Sequence, residues 1–224
     1  DCYLRLDQTL ADFFAYLDKT IGKGNYLTFL TADHGAVNNA AFLQDQRIPA
    51  GIWNGKSMVK ELNQELKAKF YTDKDLVMTI MNYQVFFNTA TIEEAGLDYA
   101  AVKQVVVNRL KKEKIVHYAF DMEKTSTESI PEQLKFRAIN GYNRERSGGV
   151  QIVLKPAHYE YDVAKGTSHG AWNPYDIHIP LVFMGWHIQH GATTQPHYMT
   201  DIAATVSALL HIQAPNGCIG TPIF

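Results

Sequence analysis

Cysteine is nearly absent. Cys2 and Cys218 are the two in 224 residues, which excludes a disulfide-dense scaffold and a cysteine-built zinc knuckle. An excess of either charge is also missing. Lys plus Arg total 21 against 23 Asp plus Glu, a formal charge of -2, so no broad basic field exists to hold nucleic acid or an anionic membrane. The longest apolar runs, Ile179 to Trp186 and Ile202 to Leu210, fall well short of the ~20 residues that span a bilayer. No Gly-rich P-loop or dinucleotide fingerprint occurs. ATP cradling and NAD binding therefore lack their signs. What remains, at 46% apolar and 20% charged residues, is a globular chain long enough to bury a core.

The chain opens at Asp1 with neither initiator methionine nor signal peptide, directly in a run whose Leu6, Leu10, Phe13, Phe14 and Leu17 recur at helical spacing. It reads as a fragment of a longer protein. Ile21 to Asn25 ends that helix, and Tyr26 to Thr31 follows as a short, nearly continuous apolar strand of the kind found in a sheet covered on both faces. Residues 38–130 are less regular. Ser57 to Lys69 predicts a helix, Val85 to Phe87 a strand, and Asp98 caps a helix with a Tyr99, Val102, Val105, Val106, Leu110 stripe before a strand at Ile115 to Phe120. This reads as an α+β insertion that caps a core built from residues 1–37 and 131–224. Buried strands return at Val150 to Leu154 and Ile179 to Met184, and a last helix runs from Asp201 to Leu210. The alternation gives an α/β class, part of a doubly wound sheet with helices on both faces.

Nine histidines are present, and position separates them. His34 follows Asp33 just past the strand that ends at Thr31, where open α/β sheets gather ligands. Both side chains reach one ion only if the backbone has begun to turn, which Gly35 permits. The bare Asp-His-Gly string fits equally a strand-ending turn in which Asp33 satisfies loose amides. The second concentration is Gly166-Thr167-Ser168-His169-Gly170, where flanking glycines let the backbone bring an imidazole close to an ion or anionic substrate; a surface loop is the plain alternative. His178 is placed as an orienting or packing group, and Trp172 as the wall of a pocket mouth.

The order of motifs resembles the C-terminal half of the alkaline phosphatase superfamily. Its elements are Thr31-Ala32-Asp33-His34-Gly35, a long insertion, Gly141-Tyr142-Asn143-Arg144-Glu145-Arg146-Ser147-Gly148, Gly166 to Gly170, Tyr175-Asp176-Ile177-His178-Ile179-Pro180, and Asp201 to Thr205 with Pro215-Asn216-Gly217. The pattern is most similar to the bacterial periplasmic phosphatases with a threonine nucleophile and to the nucleotide pyrophosphatase/phosphodiesterase branch. The resemblance implies a site for two zinc ions, with Asp33 and His34 on the ion that activates the nucleophile and His169 on the ion at the leaving oxygen. It implies hydrolysis of small-molecule phosphate monoesters through a covalent phospho-enzyme, in the periplasm or secreted. Phosphodiester or pyrophosphate cleavage, or a non-catalytic binding domain on the same fold, are the alternatives. The nucleophile, an early Asp and an Asp-x-x-x-His pair of the family all precede the position of Asp1, so the N-terminal portion of the same protein is the implied partner. The chain by itself is expected to be inactive, since three ligands leave two zinc sites incomplete. Gly149 stands where relatives place an acid.

Overall fold

The computed structural model describes residues 1–161, 166–170 and 172–224. It divides into two compact units, residues 1–31 with 180–224 and residues 32–179.

The first unit holds helix α1 (Cys2–Thr20), strands β1 (Leu27–Thr31) and β8 (Leu181–Gly185), and helix α8 (Thr200–Leu209). β1 and β8 pair antiparallel, Leu27 opposite Gly185 and Thr31 opposite Leu181. A side chain at Gly185 would sit 2.1 Å from the Tyr26 carbonyl oxygen, so only glycine lets the strands close there. The expected fully buried strand differs from what forms: Phe29 and Leu30 are 47% and 58% exposed. Among the described residues β1 has one hydrogen-bonded neighbour, β8. Buried Asp201 pins the C-terminal tail, its carboxylate accepting from the amides of Tyr198 and Thr221 at 2.9 and 3.1 Å.

The second unit carries a four-stranded antiparallel sheet in the order β3 (Val77–Met81), β4 (Gln84–Phe87), β6 (Val150–Leu154), β5 (Val116–Asp121). Helices α3 (Gly55–Phe70) and α5 (Tyr99–Leu110) pack with it. Leu62 and Leu66 meet Val102, Val106 and Leu110 over Val85, Val150 and Ile152, all buried. The helix starts follow from capping: Asn54 accepts from the Ser57 amide and Asp98 from the Ala100 amide. β6 bonds to β4 on one side and to β5 on the other, which makes it a central strand of this unit's sheet. The α/β class stands. Among the described residues one strand pair is parallel, β2 (Gly51–Trp53) with β7 (His158–Glu160). Strand direction is set by non-local pairing, which a doubly wound pattern read from apolar runs does not contain.

Two smaller clusters matter for the site. Val37, Ala40, Leu43, Ala157 and Tyr159 are buried together beneath the chain that follows His34. Phe120, Met122, Leu134 and Val153 form the other, with Trp172 packed against it. Beside β5, Lys103 is 2% exposed and donates to Asp121 at 2.8 Å and to Glu123. A Cβ at Gly149 would lie 2.3 Å from the Tyr99 hydroxyl and 3.1 Å from the Lys103 side chain, which leaves no room for an acid there.

Candidate metal centre

Asp33 and His34 lie where the backbone has left strand geometry, and Gly35 fixes the departure. Its amide donates to the Asp176 carbonyl at 2.7 Å. A Cβ on it would stand 1.9 Å from the Tyr175 carbonyl oxygen, so no other residue allows this approach. Asp33 uses one carboxylate oxygen locally, Oδ1 accepting from the His34 amide at 3.0 Å, which is the turn-capping role that the bare string allows. The other oxygen, Oδ2, lies 3.5 Å from His34 Nε2.

The tautomer follows from a second contact. His34 Nδ1 is 2.6 Å from the Gly35 carbonyl oxygen. A carbonyl only accepts, so Nδ1 carries the proton and the neutral ring keeps its lone pair on Nε2. Oδ2 and Nε2 are thus adjacent donors. Two ligands about 2.0 Å from a tetrahedral zinc ion stand roughly 3.3 Å apart, close to the separation found. A ligating histidine whose other nitrogen is held by a carbonyl is the usual supporting arrangement.

His169 is 135 positions away in sequence, yet its ring stacks on that of His34 with centroids 3.4 Å apart and planes 9° from parallel. The loops are zipped. The Val37 amide donates to the Ser168 carbonyl at 3.2 Å, and Thr167 Oγ1 donates to the Val37 carbonyl. Asn39 Nδ2 and the Tyr159 hydroxyl both donate to the Gly166 carbonyl, while that hydroxyl accepts from the Ala40 amide at 3.1 Å. Asn39 also caps helix α2 (Ala40–Asp45) through Oδ1. The loop is held on a further side by Tyr83, in the turn between β3 and β4. Its hydroxyl accepts from the Glu160 amide at 3.0 Å and donates to the His169 carbonyl at 3.5 Å. Burial pushes the Tyr83 phenol up to about 12, so it stays a donor at any ordinary pH.

His178 is exposed and ends helix α7 (Pro174–Ile177), its backbone amide bonded to the Pro174 carbonyl. Trp172 is half-buried and lines a cavity beside Gly170. Among the described residues no three His, Cys, Asp or Glu side chains form a set around one ion; Asp33 and His34 make a two-donor set, with His169 beside it. Sequence reasoning missed Tyr83 and the Asn39, Thr167 and Tyr159 bonds. The one signal for Tyr83 is Asn82 before it, a turn residue; both take positive φ, 51° and 59°.

A family model for type I phosphodiesterase/nucleotide pyrophosphatase matches residues 1–176. The chain belongs to that family. Among curated relatives this member is 49% identical over 223 residues to "Alkaline phosphatase PafA" of Elizabethkingia meningoseptica and 48% identical over 225 residues to "Alkaline phosphatase PhoV" of Synechococcus elongatus. The match takes in 100% of the chain and 40% of each relative. A third relative, 47% identical over 224 residues and 41% covered, carries the name "Calcium-transporting ATPase" in Myroides odoratus. The solved structure of wild-type PafA superposes with a TM-score of 0.94 at 49% identity, over 99% of this chain and 42% of that one. The family member described here thus spans about two fifths of the length of its relatives, within the alkaline phosphatase superfamily. No helix among its described residues is long and apolar enough to cross a membrane.

Proposed function

We propose that the chain is the C-terminal portion of a zinc-dependent phosphatase that hydrolyses phosphate monoesters through a covalent phospho-enzyme. The carrying observation is the meeting of Asp33 and His34 with His169 from loops 135 residues apart, 3.4 Å between the imidazole centroids. On this reading Asp33 and His34 hold one zinc and His169 another. Two such ions supply Lewis-acid stabilisation of the charge on the entering and leaving oxygens. The chain's own part is positional. Gly35 holds the His34 tautomer with Nε2 free, and the Val37, Asn39 and Tyr159 bonds fix the distance between the two histidine loops. The hydroxyl that attacks phosphorus, and the ligands that complete each zinc, come from the part of the protein that precedes Asp1. The ester oxygen leaves as an alcohol, and water then releases phosphate from the enzyme. The substrate is a small-molecule phosphoester, and the location periplasmic or secreted.

The test is a leaving-group series on the full-length protein. His169→Ala is expected to lower turnover more for alkyl than for nitrophenyl phosphates, because a poorer leaving oxygen needs more charge stabilisation. An equal loss across the series removes His169 from the leaving-group side. A second reading, phosphodiester or pyrophosphate cleavage, is favoured by the description of the matching family. A diester turned over faster than its monoester would establish it.

A further inference from the structure

A cavity of about 290 Å³ opens at Gly170, the residue that follows His169. One wall is Trp172, whose ring is fixed against the buried Phe120, Met122, Leu134 and Val153 cluster. Another carries Gln84 and Gln151, locked by mutual and backbone hydrogen bonds. Gln84 Nε2 donates to Gln151 Oε1 at 3.2 Å, Gln84 Oε1 accepts from the Gly148 amide at 2.8 Å, and Gln151 Nε2 donates to the Tyr83 and Ile152 carbonyls. The third is Arg137, from the last turn of helix α6 (Glu132–Asn140).

Arg137 is the anomaly. It is half-buried and has no carboxylate partner among the described residues, whereas Arg109 in the same unit is ion-paired with Glu61, Glu65 and Glu113. A half-buried guanidinium keeps a desolvation cost that an oxyanion in its fork would offset. An indole face beside it suits a planar ring. Size decides how large the ligand is: small-molecule sites run from about 300 to 1,000 Å³, so a cavity of about 290 Å³ holds one substituted ring and not a nucleotide.

We propose that this cavity binds the organic part of the substrate, and that its preferred ligand is a ring-sized group bearing an anionic substituent, the ring on Trp172 and the anion on Arg137. The assignment of that group as the leaving group rests on the phosphatase reading; the binding does not. Benzoate and its neutral isostere benzamide, titrated into the full-length protein with tryptophan fluorescence as readout, separate the two. Benzoate is expected to bind about tenfold more tightly than benzamide, with a quenching component lost in Trp172→Phe. Arg137→Met is expected to abolish the preference and Arg137→Lys, which keeps the charge without the fork, to restore part of it; thermal melting shows that each variant is folded. Equal binding of the two probes, or a preference that survives in folded R137M, overturns the proposal. With turnover as a second readout, the ratio of kcat/KM for 3-carboxyphenyl phosphate to that for phenyl phosphate should fall about tenfold in R137M. Retained benzoate preference in a protein that hydrolyses neither ester keeps the cavity and discards the phosphatase reading. The reverse pattern keeps the phosphatase and discards the cavity.

Discussion

Gly35→Ala probes the joint on which the histidine pair depends. The added methyl would meet the Tyr175 carbonyl oxygen at 1.9 Å, its carbonyl carbon at 3.0 Å and Asp176 Cα at 3.4 Å, all backbone atoms that no rotamer change can move aside. Ordinary carbon contacts lie near 3.5 Å, so the two segments must separate by more than about 1 Å. That separation breaks the 2.7 Å bond from the Gly35 amide to Asp176. Overpacking and the lost hydrogen bond together are worth about 2–4 kcal/mol. The Gly35 carbonyl that holds His34 Nδ1 moves with them. Disturbing such a supporting contact costs about 10–100-fold in metal affinity. Denaturant unfolding and a zinc titration of the full-length variant measure both numbers. A G35A protein with unchanged stability and unchanged zinc affinity would refute the claim that this close approach sets the position of Asp33 and His34.

Two further predictions concern Tyr83 and Lys103. Tyr83→Phe removes the hydroxyl that accepts from the Glu160 amide and should cost about 1–3 kcal/mol by denaturant unfolding. It should also flatten the alkaline side of the pH–stability curve. The Tyr83 phenol is raised from 10.0 to about 12, so the folded protein holds its proton where the unfolded chain has lost it. That contribution is whole below pH 10 and disappears as pH rises through about 12. Lys103→Met strands the buried Asp121 carboxylate beside the core, while Glu123 stays exposed to water. Stability should fall by about 3–5 kcal/mol, with some of the loss recovered in the Lys103→Met/Asp121→Asn double variant.

What the sequence discloses of this fold is local. Asp98 and the Val102, Val106, Leu110 stripe announce α5, and the apolar run at Val150 to Leu154 is β6 to the residue. Both signals are written in neighbouring side chains. The partners of β6 are not, because β4 and β5 lie about 65 and 30 residues away along the chain and a run of apolar residues carries no address. The site divides in the same way. The order of the Asp33-His34-Gly35 and His169 motifs, read through the resemblance, anticipated that the two histidines meet. Nothing in the local pattern announced that Tyr159 would bridge Ala40 to Gly166, or that an insertion tyrosine would hold the His169 carbonyl. The sequence does not single out Arg137; its lack of a carboxylate partner among the described residues does.

The measurement that bears most directly on the phosphatase reading is anomalous diffraction at the zinc edge from crystals of the full-length protein. The account predicts two zinc peaks about 4 Å apart, one bound by Asp33 Oδ2 and His34 Nε2 and the other by His169. A single peak, or peaks that leave His169 unligated, would contradict it.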